Sequence, residues 1–211
     1  MRTIATMAVA LCALAGTLPA AAADFSDPTW PCIQRKVDRL SPGLMWPEPI
    51  DPEGLAALDP DTRSAVTDLA ARLALRRLSL EDLGPRVADF AAAQAAGPDL
   101  MGLLFQASFD RLAAQRRTIM KGIQSYALKQ TALAERIDAA RAEMDAAMEA
   151  DPPDYDRADS LEEQIAWDER IYTDRQKSLT YVCETPVLLE KRLYAIAQML
   201  QAAAVTPTPS R

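Results

Sequence analysis

The strongest constraint on the fold is a pair of apolar seams whose positions step alternately by four and three residues, as in a coiled coil. The first seam runs from Phe105 to Met144, and ten of its twelve positions are apolar or aromatic. The second runs from Leu161 to Leu200, with nine such positions out of twelve. Between them, residues 151–154 read Asp-Pro-Pro-Asp, which is a signal for a helix end and a turn. Each seam therefore predicts one long helix.

The two seams match each other when the chain is folded back at this turn. Ile123 then meets Val182, and the residue numbers of this and every other facing pair add up to 305. Because two separate seams agree on one turn, the sequence predicts an antiparallel hairpin with arms at 98–150 and 155–203. At about 1.5 Å per residue, such arms reach roughly 70 Å.

Shorter helices and an arm are predicted before the hairpin. Residues 24–50 are rich in Pro and Trp, which predicts an extended arm. Residues 51–96 contain Asp-Pro and Ser-containing helix starts, which predict base helices over about 60–78 and 79–96. We therefore predict an all-α fold: a long antiparallel two-helix coiled-coil hairpin with a small helical bundle and an extended N-terminal arm at its base, residues 51–204 forming a single helical domain.

The two ends of the chain are predicted to lie outside this domain. Residues 1–23 have the basic start, the apolar run and the small residues of a signal peptide, so we expect cleavage after Ala23 and a periplasmic or secreted protein. An uncleaved membrane anchor is the alternative, but the apolar run is shorter than the roughly 20 residues that span a bilayer. We expect no integral membrane span in the mature chain, and we expect residues 205–211 to be a disordered tail.

Two cysteines, Cys32 and Cys183, remain after removal of residues 1–23. In an oxidising compartment two thiols usually pair, so the sequence predicts a disulfide that staples the arm to the second hairpin helix. Two separate buried thiols are the alternative. Within the arm, residues 33–40 have room for two helical turns.

Charge is distributed unevenly along the predicted hairpin. The tip, residues 134–170, contains 13 acidic and 4 basic residues, whereas the whole chain has a net charge of −7. An acidic protein repels phosphate backbones, which argues against nucleic-acid binding. We therefore predict that the tip binds a protein partner in the envelope or a second copy of the chain. The candidate partner-binding residues are Met148, Asp151, Asp154 and Glu162.

The residue types that most enzymes require are missing from this sequence. There is no histidine, and both mature cysteines are predicted to be oxidised, so we expect no catalytic residue, no metal site and no cofactor. Met144 and Met148 lie one helical turn apart beside carboxylates, but a core role for Met144 is favoured over a metal site. Four carboxylates are predicted to form a solvated face rather than a catalytic pair: Glu162, Glu163, Asp168 and Glu169.

Polar residues and one proline interrupt the seams. Gln130 faces Arg175 in the predicted pairing, and we interpret the pair as a pin that fixes the register, with a ligand contact as the alternative. Pro186 lies inside the second arm and is predicted to kink it. Arg116 and Arg117 belong to a basic patch that is interpreted as solvated or ion-paired charge, with an anion site as the alternative.

Together these features predict a non-enzymatic periplasmic or secreted structural or interaction protein that presents an acidic coiled-coil hairpin to a protein partner. A periplasmic small-molecule or metal-binding protein is the alternative function.

Overall fold

The computed structural model describes Asp27 and residues 29–204; the predicted signal peptide (1–23) and tail (205–211) lie outside the described residues. The described chain is all-α, with no strand, and the predicted hairpin with a small helical base is confirmed. Its five α-helices are α1 (Gly54–Ala57), α2 (Pro60–Ala74), α3 (Leu80–Ala93), α4 (Pro98–Glu149) and α5 (Tyr155–Ala203).

The hairpin consists of α4 and α5, which contain 52 and 49 residues and pack against each other. At about 1.5 Å per residue each helix is roughly 75 Å long. The observed bounds differ from the predicted arms by at most one residue, because Pro98 and the Pro152-Pro153 turn delimit both helices in the sequence. No helix in the described part of the chain combines the length and the apolar character needed to cross a bilayer.

One difference from the predicted pairing of facing residues lies at the level of the disulfide. Ile123 is fully buried and packs in a cluster with Cys32 and Cys183. Val182, which was expected to meet Ile123, is 41% exposed. Cys183 occupies the seam in its place, because the sulfur of Cys183 is bonded to Cys32 at this level.

Capping side chains set the starts of the two base helices. The Asp59 carboxylate accepts hydrogen bonds from the backbone N–H groups of Asp61 and Thr62, and Pro60 is the first residue of α2. The Ser79 hydroxyl accepts a hydrogen bond from the Asp82 N–H at the start of α3. Both starts agree with the predictions to within one residue.

The ends of the base helices were predicted too late, at 78 and 96. α2 ends at Ala74, and Arg192 of α5 donates hydrogen bonds at 2.8–2.9 Å to three carbonyl oxygens around this end, those of Leu73, Leu75 and Leu78. Burial, with a smaller contribution from Arg76, lowers the pKa of the Arg192 guanidinium. A cation from a distant helix thus binds carbonyls that have no partner inside α2.

The base core is formed by α2 and α3 packed on the lower part of the hairpin, with the arm closing one side. Trp46 of the arm is buried and stacks on Phe105, with ring centroids 5.3 Å apart. A Cβ atom at Gly102 would lie 3.2 Å from the Trp46 Nε1 atom, so glycine allows the indole to approach α4 closely. Trp46 of the arm thus covers apolar surface of the base core.

The arm is extended, and the two helical turns expected at residues 33–40 do not form. Its carbonyl groups bond to side chains instead: Trp30 Nε1 donates to the Gln34 oxygen at 2.7 Å, and Arg116 Nη1 donates to the Val37 oxygen at 2.6 Å. Since these carbonyls are not available for a helical ladder, the segment stays open. One short 3-10 helix, Pro42–Leu44, follows.

The Cys32–Cys183 disulfide fixes the arm to the middle of the hairpin. The two Cα atoms are 5.5 Å apart, the two cysteines are 151 positions apart in the sequence, and both are buried against Ile123. The predicted pairing is therefore confirmed. Beyond the disulfide, α4 residues 124–149 and α5 residues up to Val182 continue over about 40 Å.

Replacing both cysteines with serine, Cys32→Ser with Cys183→Ser, is expected to lower the free energy of unfolding by about 2–5 kcal/mol, because the cross-link restricts the unfolded chain. Amide hydrogen exchange of residues 29–40 should accelerate, while exchange in the tip should not change. Chemical denaturation and exchange mass spectrometry measure the two effects. Unchanged exchange of the arm would show that its other contacts hold it.

Candidate functional site

The candidate site is the tip of the hairpin, which begins with the turn between α4 and α5. The side chain of Asp154 caps α5 by accepting a hydrogen bond from the Arg157 N–H at 3.0 Å. The backbone N–H of Asp154 donates to the Ala147 oxygen at 2.9 Å, which ties the turn back to α4. The turn is therefore an ordered loop held from both helices.

Only α4 and α5 contribute to the apolar core of the tip. Five buried residues form the cluster, and Met144, Ile171 and Tyr172 pack at its edge. The buried members are Leu133, Ile137, Ala140, Leu161 and Ile165. Met144 therefore has the seam role that was predicted for it. With no third element over this cluster in the described chain, the outer faces of both helices are available to a partner.

Asp168 corrects the prediction of a solvated acidic face. It lies in the seam with 4% of its surface exposed, and Arg136 of α4 binds both of its carboxylate oxygens, at 2.8 and 2.5 Å. A buried carboxylate requires such a partner. The Arg136 side chain is more than half exposed, so it reaches over the seam from the flank of α4.

Further ion pairs neutralise part of the tip. Arg141 binds Glu169 at 2.5 Å, and Arg157 binds Glu143 across the hairpin. After these pairs, the unpaired negative charge is concentrated around the turn: residues 145–163 contain eight acidic residues and one basic residue. The end of the rod is thus its most acidic part, although three of the tip's four arginines are bound to carboxylates.

The four predicted partner-binding residues all lie at this end, but they are not equivalent. Met148 is 47% exposed, and Asp151 and Glu162 are exposed as well. Asp154 is exposed, but its carboxylate is also the cap of α5. Met148, Asp151 and Glu162 are therefore surface positions available for contact, whereas a change at Asp154 would also affect the helix start.

Two aromatic residues at the tip were missed by the sequence analysis. Tyr155 is 61% exposed beside the turn, and Trp167 is 64% exposed on the side of α5. Exposed aromatic rings are typical of protein-binding surfaces. Neither residue lies at a position of the predicted seam. Their position off the seam is the signal that would have marked them as surface residues.

The middle of the hairpin is held by polar bonds to the backbone. Gln130 Nε2 donates to the Tyr172 oxygen at 3.1 Å, and the Tyr126 hydroxyl donates to the Arg175 oxygen at 2.7 Å. Gln130 thus bonds the backbone of α5 and not the predicted partner Arg175, which is exposed. Pro186 is buried, and α5 continues through it.

Cavities and ligand clusters do not compete with the tip as a site. Among the described residues no group of three or more metal-ligating side chains occurs. A shallow cavity of about 290 Å³ between the arm and α4 is lined in part by Arg39, Arg116 and Arg117. Arg116, however, is already bound to Glu190 at 2.6 Å and to the arm, so its charge is used in the fold.

Comparisons of the chain with protein-family models, curated proteins and solved structures gave no match.

Replacing Arg136 with alanine is expected to destabilise the tip by about 1–3 kcal/mol, because the Asp168 carboxylate would remain buried without its cation. Amide exchange at residues 133–168 should accelerate, as measured by mass spectrometry. Arg170→Ala is the matched control, since Arg170 is exposed and makes no ion pair with any described residue. Equal effects of the two variants would contradict the structural role of the Arg136–Asp168 pair.

Proposed function

We propose that this protein is a non-enzymatic structural or interaction protein of the periplasm or the extracellular space, and that its acidic hairpin tip binds a protein partner. The observation that carries the proposal is the tip itself: a two-helix rod that extends about 40 Å beyond the disulfide and concentrates unpaired carboxylates at its end.

The surface of the tip specifies the chemistry of the partner. Carboxylates around the turn favour a surface rich in Lys or Arg, and complementary charge increases the rate and the selectivity of association. Met148 and Tyr155 add exposed apolar area among these charges. We therefore expect a basic partner with a shallow apolar depression. The helical surface of the tip would bind in this depression, as a helix binds in a groove.

The compartment and the absence of catalysis are parts of the same proposal. The Cys32–Cys183 disulfide is typical of proteins that fold in oxidising compartments, which supports a periplasmic or secreted location. The carboxylates around the turn are all exposed, whereas glycoside hydrolysis, for example, requires two carboxylates facing each other across a cleft. This geometry supports a binding role over a catalytic one.

The alternative of a small-molecule or metal-binding protein has weaker support. The cavity lined by Arg39 and Arg117 has a positive lining and would fit a small anion such as phosphate. Its third arginine, Arg116, is occupied by Glu190 and Val37. Calorimetric titration with phosphate, calcium, copper and zinc tests this alternative directly.

The tip is tested with a triple variant that keeps the cap: Met148→Ser, Asp151→Asn and Glu162→Gln. Envelope proteins that crosslink to a photoreactive residue placed at Asp151 supply the partner, and binding is then measured with the purified pair. We expect the variant to raise the Kd at least about tenfold, and we expect salt to weaken wild-type binding, because the contact is electrostatic.

The control removes equal charge from the base, with Asp68→Asn and Asp89→Asn, both exposed on α2 and α3. Circular dichroism and thermal melting verify that each variant is folded. Unchanged binding by the folded tip variant, or equal losses in the tip and base variants, would contradict the proposal.

A further inference from the structure

A second heptad pattern runs along the exposed side of α5. Its positions step by four and three from residue 167 to residue 188, about a quarter-turn away from the seam that faces α4. Trp167 and Tyr181 are 64% and 76% exposed, and Leu188 is 46% exposed. We call this pattern the outer seam. Its residues are Trp167, Ile171, Asp174, Ser178, Tyr181, Thr185 and Leu188.

Towards the C-terminal end of α5, the outer seam continues into a face of the helix that the base covers. Further along the pattern come Arg192, Ala195 and Met199, which lie in the base and are partly buried. Arg192 bonds the end of α2, and Met199 packs on the base core. From Leu188 to Trp167 the same face is mostly exposed among the described residues, although Ile171 and Thr185 on it are half-buried.

The arm does not cover this part of α5. Residues 31–34 lie beside five residues of α5, and four of these, Gln176, Leu179, Thr180 and Cys183, project from the opposite side of the helix. The fifth, Glu184, lies between the arm and the outer seam and is exposed. Among the described residues, then, the hairpin has the arm on one side at the level of the disulfide and an exposed aromatic side on the other.

We propose that the outer seam binds the outer seam of a second copy of this chain, in the antiparallel direction. The inference rests on the proposed interaction role, but it concerns a surface separate from the acidic end. A heptad pattern of this kind is completed by another helix, and a self-complementary patch is what a two-fold dimer requires.

Antiparallel heptad geometry fixes the layers of the dimer. A position followed by a step of four faces a position followed by a step of three, as Ala140 and Ile165 do in the hairpin itself. In the register that pairs Ile171 with Tyr181, the two-fold axis passes near residue 176. The layers are then Ile171 on Tyr181, Trp167 on Thr185 and Asp174 on Ser178, each occurring twice.

The charges beside the outer seam fit this register. The same geometry places Arg170 opposite Glu184 of the second copy, and Glu163 opposite Lys191 of the second copy. All four side chains are exposed, and none makes an ion pair within the described part of one chain. Four pairs of opposite charge thus flank the contact, two on each side of the axis.

The remaining charges also favour the antiparallel direction. Lys177 and Arg175 each meet their own copy beside the axis, and Lys177 lies 3.6 Å from Asp174 of its own chain, which offsets its repulsion. Over longer distances, α4 residues 111–130 contain five basic and no acidic residues. An antiparallel dimer brings the acidic tip of one copy towards this basic stretch of the other, whereas a parallel dimer would bring two acidic tips together.

The outer seam extends over about 32 Å of helix, so its contact area is small compared with the roughly 1,600 Å² of a standard interface. We therefore expect a weak dimer, with a Kd on the order of micromolar. Sedimentation velocity of the full chain over a roughly hundredfold range of concentration should show a reversible shift from monomer to dimer. A monomer at every concentration would overturn the proposal.

The seam itself is tested with the double variant Trp167→Glu and Tyr181→Glu, which should raise the dimer Kd at least about tenfold. Its matched control is Leu128→Glu with Tyr194→Glu, two exposed apolar residues that lie off the outer seam. The control should dimerise like the wild type. A control that loses dimerisation to the same extent, with both proteins folded by circular dichroism, would overturn the assignment of the surface.

The direction and register are tested by charge reversal. Arg170→Glu alone and Glu184→Arg alone each create two like-charge contacts and should weaken the dimer, whereas the combined variant should restore it to near the wild-type Kd. Failure of the combined variant to recover would overturn the antiparallel register.

The test is separate from that of the tip. The variant with Met148→Ser, Asp151→Asn and Glu162→Gln leaves the outer seam intact and should still dimerise. A monomeric protein whose tip binds a partner would end the dimer proposal and leave the proposed function standing. A different protein that binds at Trp167 and Tyr181 without dimerisation would likewise overturn the second copy as the occupant.

Discussion

Apolar packing between α4 and α5 is the interaction on which every other part of the molecule depends. In the base, α2, α3 and the arm also pack on the hairpin, so several elements bury the apolar core there. At the tip the two helices bury apolar surface only against each other. The rod can be long because its stability increases with each heptad, and in the described residues its tip core is formed by two helices.

Charged and polar groups stabilise the contact between α4 and α5 at the levels where the seam contains fewer apolar residues. Arg116 joins three segments, since it lies on α4, bonds Glu190 of α5 and bonds the Val37 carbonyl of the arm. Nearer the tip, Tyr126 and Gln130 donate to carbonyls of α5. Burial raises the pKa of the Tyr126 phenol above its ordinary value, which keeps the hydroxyl protonated as a donor. These bonds fix the register without requiring a buried charge pair at every level.

The hairpin was predictable because heptad spacing and a Pro-containing turn are local features of the sequence. The disulfide was predictable because two cysteines remain after removal of residues 1–23. The Arg136–Asp168 pair was not, because Arg136 lies off the seam and its long side chain reaches the buried carboxylate from the flank. Helical turns at residues 33–40 are compatible with the local sequence, but Trp30, four residues before Gln34, and Arg116 of α4 bond to the carbonyls of this segment. At the tip, the acidic charge could be predicted from composition. Which carboxylates form ion pairs depends on the positions of the arginine side chains in the fold.

A helix with two seams a quarter-turn apart cannot bury both within a two-helix rod. In the base this conflict is resolved inside one chain, because α2 and α3 cover the second face of α5 near Arg192 and Met199. Above the base the chain supplies no further helix in its described residues, and the same face displays Trp167 and Tyr181 to solvent. Ser178 and Asp174 interrupt this face with polar groups, which limits the apolar patch and is consistent with a chain that folds alone and associates reversibly.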